Sequence, residues 1–87
     1  MIKLVRLEPV GPTELLLCFS DGATARWSAA ELIARNTVLT LPLANTAFFD
    51  SAYIQAGALA WPNGLELSAE ALHRRSSDAG ALGRAAV

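Results

Sequence analysis

The chain has 87 residues, with seven Lys and Arg against eight Asp and Glu and a net charge of −1. That length makes one small domain, and no segment approaches the ~18 consecutive apolar residues of a membrane-spanning helix. The few cations are scattered, with no basic stripe interleaved with aromatics, which argues against direct nucleic-acid binding by this domain. Apolar residues make up 53 % of the chain, and mean hydropathy is +0.35, rich for a chain of this size.

In chain order, Ile2–Val10 reads as a first strand. Charges at Lys3 and Arg6 interrupt it where an export signal would need an apolar core. The alternation slips between Leu4 and Leu7, which predicts a bulge. Pro9 cannot donate to a ladder and belongs near a strand end. Gly11-Pro12 turns the chain into the stretch that organises the rest, Glu14–Trp27.

Leu15-Leu16-Leu17-Cys18-Phe19 is a continuous apolar run, which predicts a strand covered on both faces. Asp21-Gly22 is a hairpin signal of the type I′ kind, with positive φ at both positions. Ala23, Ala25 and Trp27 then alternate with Thr24 and Arg26, a strand with one solvated face. The single cysteine, Cys18, falls in the apolar run and reads as a small core residue. One cysteine cannot close an internal disulfide, which fits a reducing cytoplasm.

Ser28 and Glu31 have capping-box spacing and predict a helix start. Ala29, Leu32 and Ile33 form its apolar stripe, Glu31 can pair with Arg35, and Asn36 suits the left-handed position that ends a helix. Thr37–Asp50 is irregular because Pro42 forbids a regular interior element. An extended piece over the core and then a helical turn through Ala44–Phe49 are expected, with Phe48 and Phe49 as core anchors or, as neighbours on a helix, as a binding patch.

Ala52–Ala56 and Ala58–Trp61 read as a second hairpin around Gly57. Trp61-Pro62-Asn63-Gly64 is a turn in which Pro62 fixes φ, Asn63 and Gly64 tolerate positive φ and Trp61 anchors to the core. Leu65-Glu66-Leu67 returns to extended chain. Ser68 caps a second helix with Leu72 inward and His73 near its end, where a cation suits the dipole. Ser76–Val87 reads as a mobile tail, leaving 1–75 as the domain. The fold expected is α+β: a small, mostly antiparallel sheet, built from two hairpins and an N-terminal strand, packed with one or two short helices.

Phe19-Ser20-Asp21-Gly22, a short helix, Leu41 to Phe48, a short hairpin and then Trp61-Pro62-Asn63-Gly64 with Leu65, Leu67 and Leu72 form a pattern over Ile2–Leu72. It resembles family 2442 of the domains of unknown function, small bacterial proteins. The chain departs from that pattern in lacking an acidic residue at Trp27 or Ser28, and in having Leu72-His73 where Leu-Tyr is common. The resemblance implies an α+β domain with a small antiparallel sheet and no established activity. It also implies neighbours such as a helix-turn-helix domain, or a small partner protein in a toxin–antitoxin-like pair.

No catalytic or metal constellation stands out. His73 is the only histidine and the one cysteine, Cys18, reads as a core residue, so no metal-ligand set stands out around His73 and no cofactor is expected. The leading functional expectation is a protein-interaction or regulatory module in the cytoplasm, pairing with itself or with a small partner protein as the antitoxin-like half of a two-protein unit. A core this small gains from burial against a second chain. The candidate interaction surface is Phe48, Phe49, Trp61 and Asn63; Asp21, Gly22, Pro62 and Gly64 are turn residues. The alternatives are a small-molecule-binding domain or enzyme with a weak site near Arg26, Glu66 and His73, and an accessory domain of a nucleic-acid-binding assembly.

Overall fold

A computed structural model of the chain describes residues 1–84. The described residues form an α+β fold of two antiparallel sheets and three short helices. Strands β1 (Leu4–Gly11), β2 (Glu14–Phe19) and β3 (Ala23–Ser28) lead into helix α1 (Ala30–Ala34). A single 3-10 turn (Leu41–Ala44) and helix α2 (Thr46–Phe49) follow. Then come β4 (Tyr53–Gln55), β5 (Ala58–Ala60), β6 (Glu66–Leu67), helix α3 (Ala69–Asp78) and β7 (Gly83–Arg84). The first sheet has the order β1-β2-β3-β7 and the second β4-β5-β6.

The expected bulge in β1 is present: the register with β2 shifts between Leu4 and Arg6, and again between Pro9 and Gly11. The two sheets meet at the start of β1, where the Leu4 amide donates to the Gly57 carbonyl at 2.8 Å. The core lies between them. Leu15, Leu17 and Phe19 of β2, Ala23 and Ala25 of β3, and Leu43, Phe49, Leu59, Trp61 and Leu72 are all buried in one cluster.

The apolar run of β2 is covered on one face only. Leu15, Leu17 and Phe19 are buried, whereas Leu16 and Cys18 are half-buried. Their cross-strand neighbours are Glu8 and Arg26 for Leu16, and Arg6 and Thr24 for Cys18. Long charged side chains beside an apolar one shield it with their stems, so no second protein layer is required there.

The first hairpin also closes differently from the type I′ expectation. Gly22 has φ 86°, but Asp21 does not share the positive φ. The Gly22 amide donates to the Phe19 carbonyl at 3.0 Å, and the Asp21 Oδ1 accepts from the Ala23 amide at 2.9 Å. The loop is therefore three residues, a type I turn with glycine at the left-handed position. The I′ geometry appears instead in the second hairpin, where Ala56 (φ 51°) and Gly57 (φ 86°) are both left-handed.

The capping box does not form. Ser28 is still paired with Glu14 in the sheet, and the Ala29 amide donates to the Thr13 carbonyl at 2.8 Å. These bonds delay the helix, so Ala29 occupies the cap position without a side-chain bond. The Ser28 hydroxyl accepts from the Ala30 amide at 3.2 Å. Glu31 lies 3.8 Å from Arg75 rather than pairing with Arg35. Ala29, Leu32 and Ile33 do face the core, and Asn36 ends the turn at φ 57°.

The boundary expected at residue 75 falls inside α3. Ser76, small enough to sit against the core, is buried, and the helix runs on to Asp78. Gly80 and Ala81 donate back to Ser77 and Ser76. Leu82 packs on the core, and Gly83-Arg84 pair with Ala23-Thr24. The remainder of the expected tail, residues 85–87, lies outside the described residues.

Candidate functional site

The W-P-N-G turn is the anchor of the region that carries most exposed apolar side chain. Trp61 is 1 % exposed, its Nε1 donates to the Phe49 carbonyl at 3.1 Å, and its ring lies 6.0 Å from Phe49 and 6.1 Å from Trp27. Gly64 (φ 94°) closes the turn, its amide donating to the Trp61 carbonyl at 3.1 Å. Asn63 does not adopt positive φ. Its side chain works in two directions: Oδ1 accepts from the Leu65 amide and Nδ2 donates to the Leu39 carbonyl, both at 3.1 Å.

That second bond ties the turn to the segment before the 3-10 turn. Thr37 and Thr40 clasp each other: each backbone amide donates to the other's hydroxyl, at 3.2 and 3.1 Å, and the two hydroxyls are 2.7 Å apart. The Leu41 amide donates to the Thr37 carbonyl at 2.9 Å. Thr40 is buried in the process. The result is a fixed loop that turns its apolar side chains outward: Val38 is 90 % exposed, Leu41 50 % and Leu39 43 %. The extended piece expected to lie over the core is therefore a folded loop, with Leu43 alone of its leucines fully buried.

The four residues expected to form an interaction surface divide. Trp61 and Phe49 are core residues and present nothing to a partner. Phe48 is half-buried against the core. Asn63 is hydrogen-bonded to the exposed loop, as its clamp. Val38, Leu39 and Leu41 take the place of the aromatics. The signal for them was present: Asn36 to Phe49 contains no Asp, Glu, Lys or Arg, and adjacent Val38-Leu39 cannot both turn inward.

The residues considered for a small-molecule or catalytic site are held apart by different partners. Arg26 is 3.1 Å from Glu14. His73 Nε2 is 2.9 Å from Asp21 Oδ2, with its ring edge-on to Phe19 at 5.0 Å. It sits in the middle of α3 rather than in its last turn, because α3 continues past it. It links the first hairpin loop to the helix. Glu66 is exposed on β6. A groove of about 150 Å³ is lined by Arg26, Trp27, Glu31 and Arg75 among others, but by neither Glu66 nor His73. Among the described residues no group of three His, Cys, Asp or Glu is placed to hold a metal ion, and no helix is long and apolar enough to cross a membrane.

No protein-family model matches the chain, and no curated protein or solved structure is significantly similar to it.

Proposed function

We propose that the domain is a protein-interaction module that receives an apolar face of a partner protein on the loop Val38–Leu41. The observation that carries this reading is the combination of exposure and rigidity. Three large apolar side chains stand in solvent on a backbone held by Asn63, Thr37 and Thr40. Exposed apolar side chains grouped together mark interaction sites more often than scattered ones do. A loop already in its bound shape saves the ordering entropy that a mobile one would lose on binding. The absence of charge from Asn36 to Phe49 matches the depletion of charged residues at interface centres. The resemblance to family 2442 supports placing the module as the regulatory, antitoxin-like half of a two-protein unit.

The test is affinity capture from lysate with the wild-type chain and with a Val38→Ser/Leu39→Ser/Leu41→Ser variant, both treated with nuclease and both checked for folding by circular dichroism. A protein recovered in stoichiometric amount on the wild type and lost on the variant supports the reading. Equal recovery on both, or recovery of the bait alone, overturns it.

A further inference from the structure

We propose that a second copy of this chain pairs with the outer edge of β1, antiparallel and about a two-fold axis at Leu7. β1 is the outermost strand of its sheet. Its opening amide, that of Leu4, is taken by Gly57. From Val5 to Gly11, among the described residues, no backbone-to-backbone hydrogen bond joins β1 to any element other than β2. Val5 is 61 % exposed beside that edge. Between its two register shifts this edge presents residues 6–9, and an open edge is a template for another strand.

Two sequence features select the partner. Pro9 has no N–H to give to β2, so its nitrogen side faces outward. Leu7, two residues before it, turns its N–H and C=O the same way. Leu7 of one copy can then exchange both backbone bonds with Leu7 of the other. The second feature is charge. Arg6 and Glu8 flank Leu7 on the opposite face from the core, opposite Cys18 and Leu16. In an antiparallel pair centred on Leu7, Arg6 of each copy stands directly across from Glu8 of the other. Within one chain the two already pair at 2.9 Å, so association exchanges that contact between copies and leaves no charge unmatched. Charges of one sign on an edge repel a second copy; this pair is complementary to itself across the two-fold axis.

The experiment is sedimentation equilibrium of the full chain, a 9.2 kDa monomer, with Arg6→Glu, with Glu8→Arg and with an equimolar mixture of the two variants. The wild type is expected to dimerise reversibly, and less tightly as salt is raised. Each single reversal places like charges opposite each other twice and is expected to weaken the dimer by about tenfold or more. The mixture restores opposite charges at every pair and is expected to recover wild-type association, which no effect confined to one chain would produce. A wild type that stays monomeric into the millimolar range overturns the proposal. So do single reversals that dimerise like the wild type, or a mixture that stays monomeric. Hydrogen exchange at the Leu7 amide of the wild type gives an independent reading: it slows as protein concentration rises if this edge is paired, and concentration-independent exchange also overturns the proposal.

Discussion

Asn63→Asp separates the two tasks of the Asn63 side chain. The carboxylate keeps an oxygen for the Leu65 amide, so the W-P-N-G turn survives. It has no N–H for the Leu39 carbonyl, so the clamp on the apolar loop is lost. A side-chain hydrogen bond of this kind contributes about 0.5–1.5 kcal/mol net. Leu39 is half in solvent, so water can replace the lost donor and the cost falls near 1 kcal/mol. For a domain of this size that lowers Tm by about 4–8 °C. Asn63→Ala removes both 3.1 Å bonds and strands the part-buried Leu65 amide, so it costs about twice as much. Thermal unfolding by circular dichroism gives the order of the two variants. Hydrogen exchange at the amides of Thr40 and Leu41, which Thr37 holds, gives the location. The reasoning fails if Asn63→Asp is as costly as Asn63→Ala, or if it leaves exchange at Thr40 and Leu41 unchanged.

Other consequences follow from individual positions. Ala56 sits at φ 51°, where a Cβ costs ~1–2 kcal/mol; Ala56→Gly relieves this but loosens the unfolded chain by about 0.4–1 kcal/mol, so a net gain of about 0.5–1 kcal/mol in urea titration is expected. Gly57→Ala has the opposite sign: φ is +86° and a Cβ would stand 2.9 Å from the Cβ of Lys3, so the Leu4–Gly57 join between the sheets weakens and the urea midpoint falls. Leu17→Ala, at a position with no exposure, costs about 2–5 kcal/mol. In the Val38→Ser/Leu39→Ser/Leu41→Ser variant, by contrast, Val38, 90 % exposed, contributes about 0.5 kcal/mol or less, and Leu39 and Leu41, about half buried, about 1 kcal/mol each, so the variant stays less costly per site than Leu17→Ala.

Much of the fold could be read from local chemistry. Asp21-Gly22, Gly57 and Pro62-Asn63-Gly64 punctuate the chain where it turns, Ser68 caps α3 as its position suggests, and the slip between Leu4 and Leu7 marks a real bulge. What could not be read depends on neighbours distant in sequence. Leu16 and Leu17 are alike in composition, but only Leu17 points into the buried cluster. Ser28 has a capping pattern, yet Glu14 and Thr13 hold the chain in the sheet past it. His73 resembles a residue in a last turn until Ser76 is seen to be small enough to bury. The exposed loop was hidden for the same reason: Val38, Leu39, Leu41 and Leu43 look equivalent in sequence, and the loop that turns three of them outward is held partly by the Asn63 bond from 24 residues away.

Hydrogen exchange of the chain alone and with the captured partner bound, followed segment by segment, tests the interaction reading most directly. Slowed exchange centred on residues 37–41, with the buried strands unchanged, is the result that the exposed, clamped loop requires. Protection confined to other segments, or none at all on binding, would show that the partner docks elsewhere and that the loop is not the interaction site.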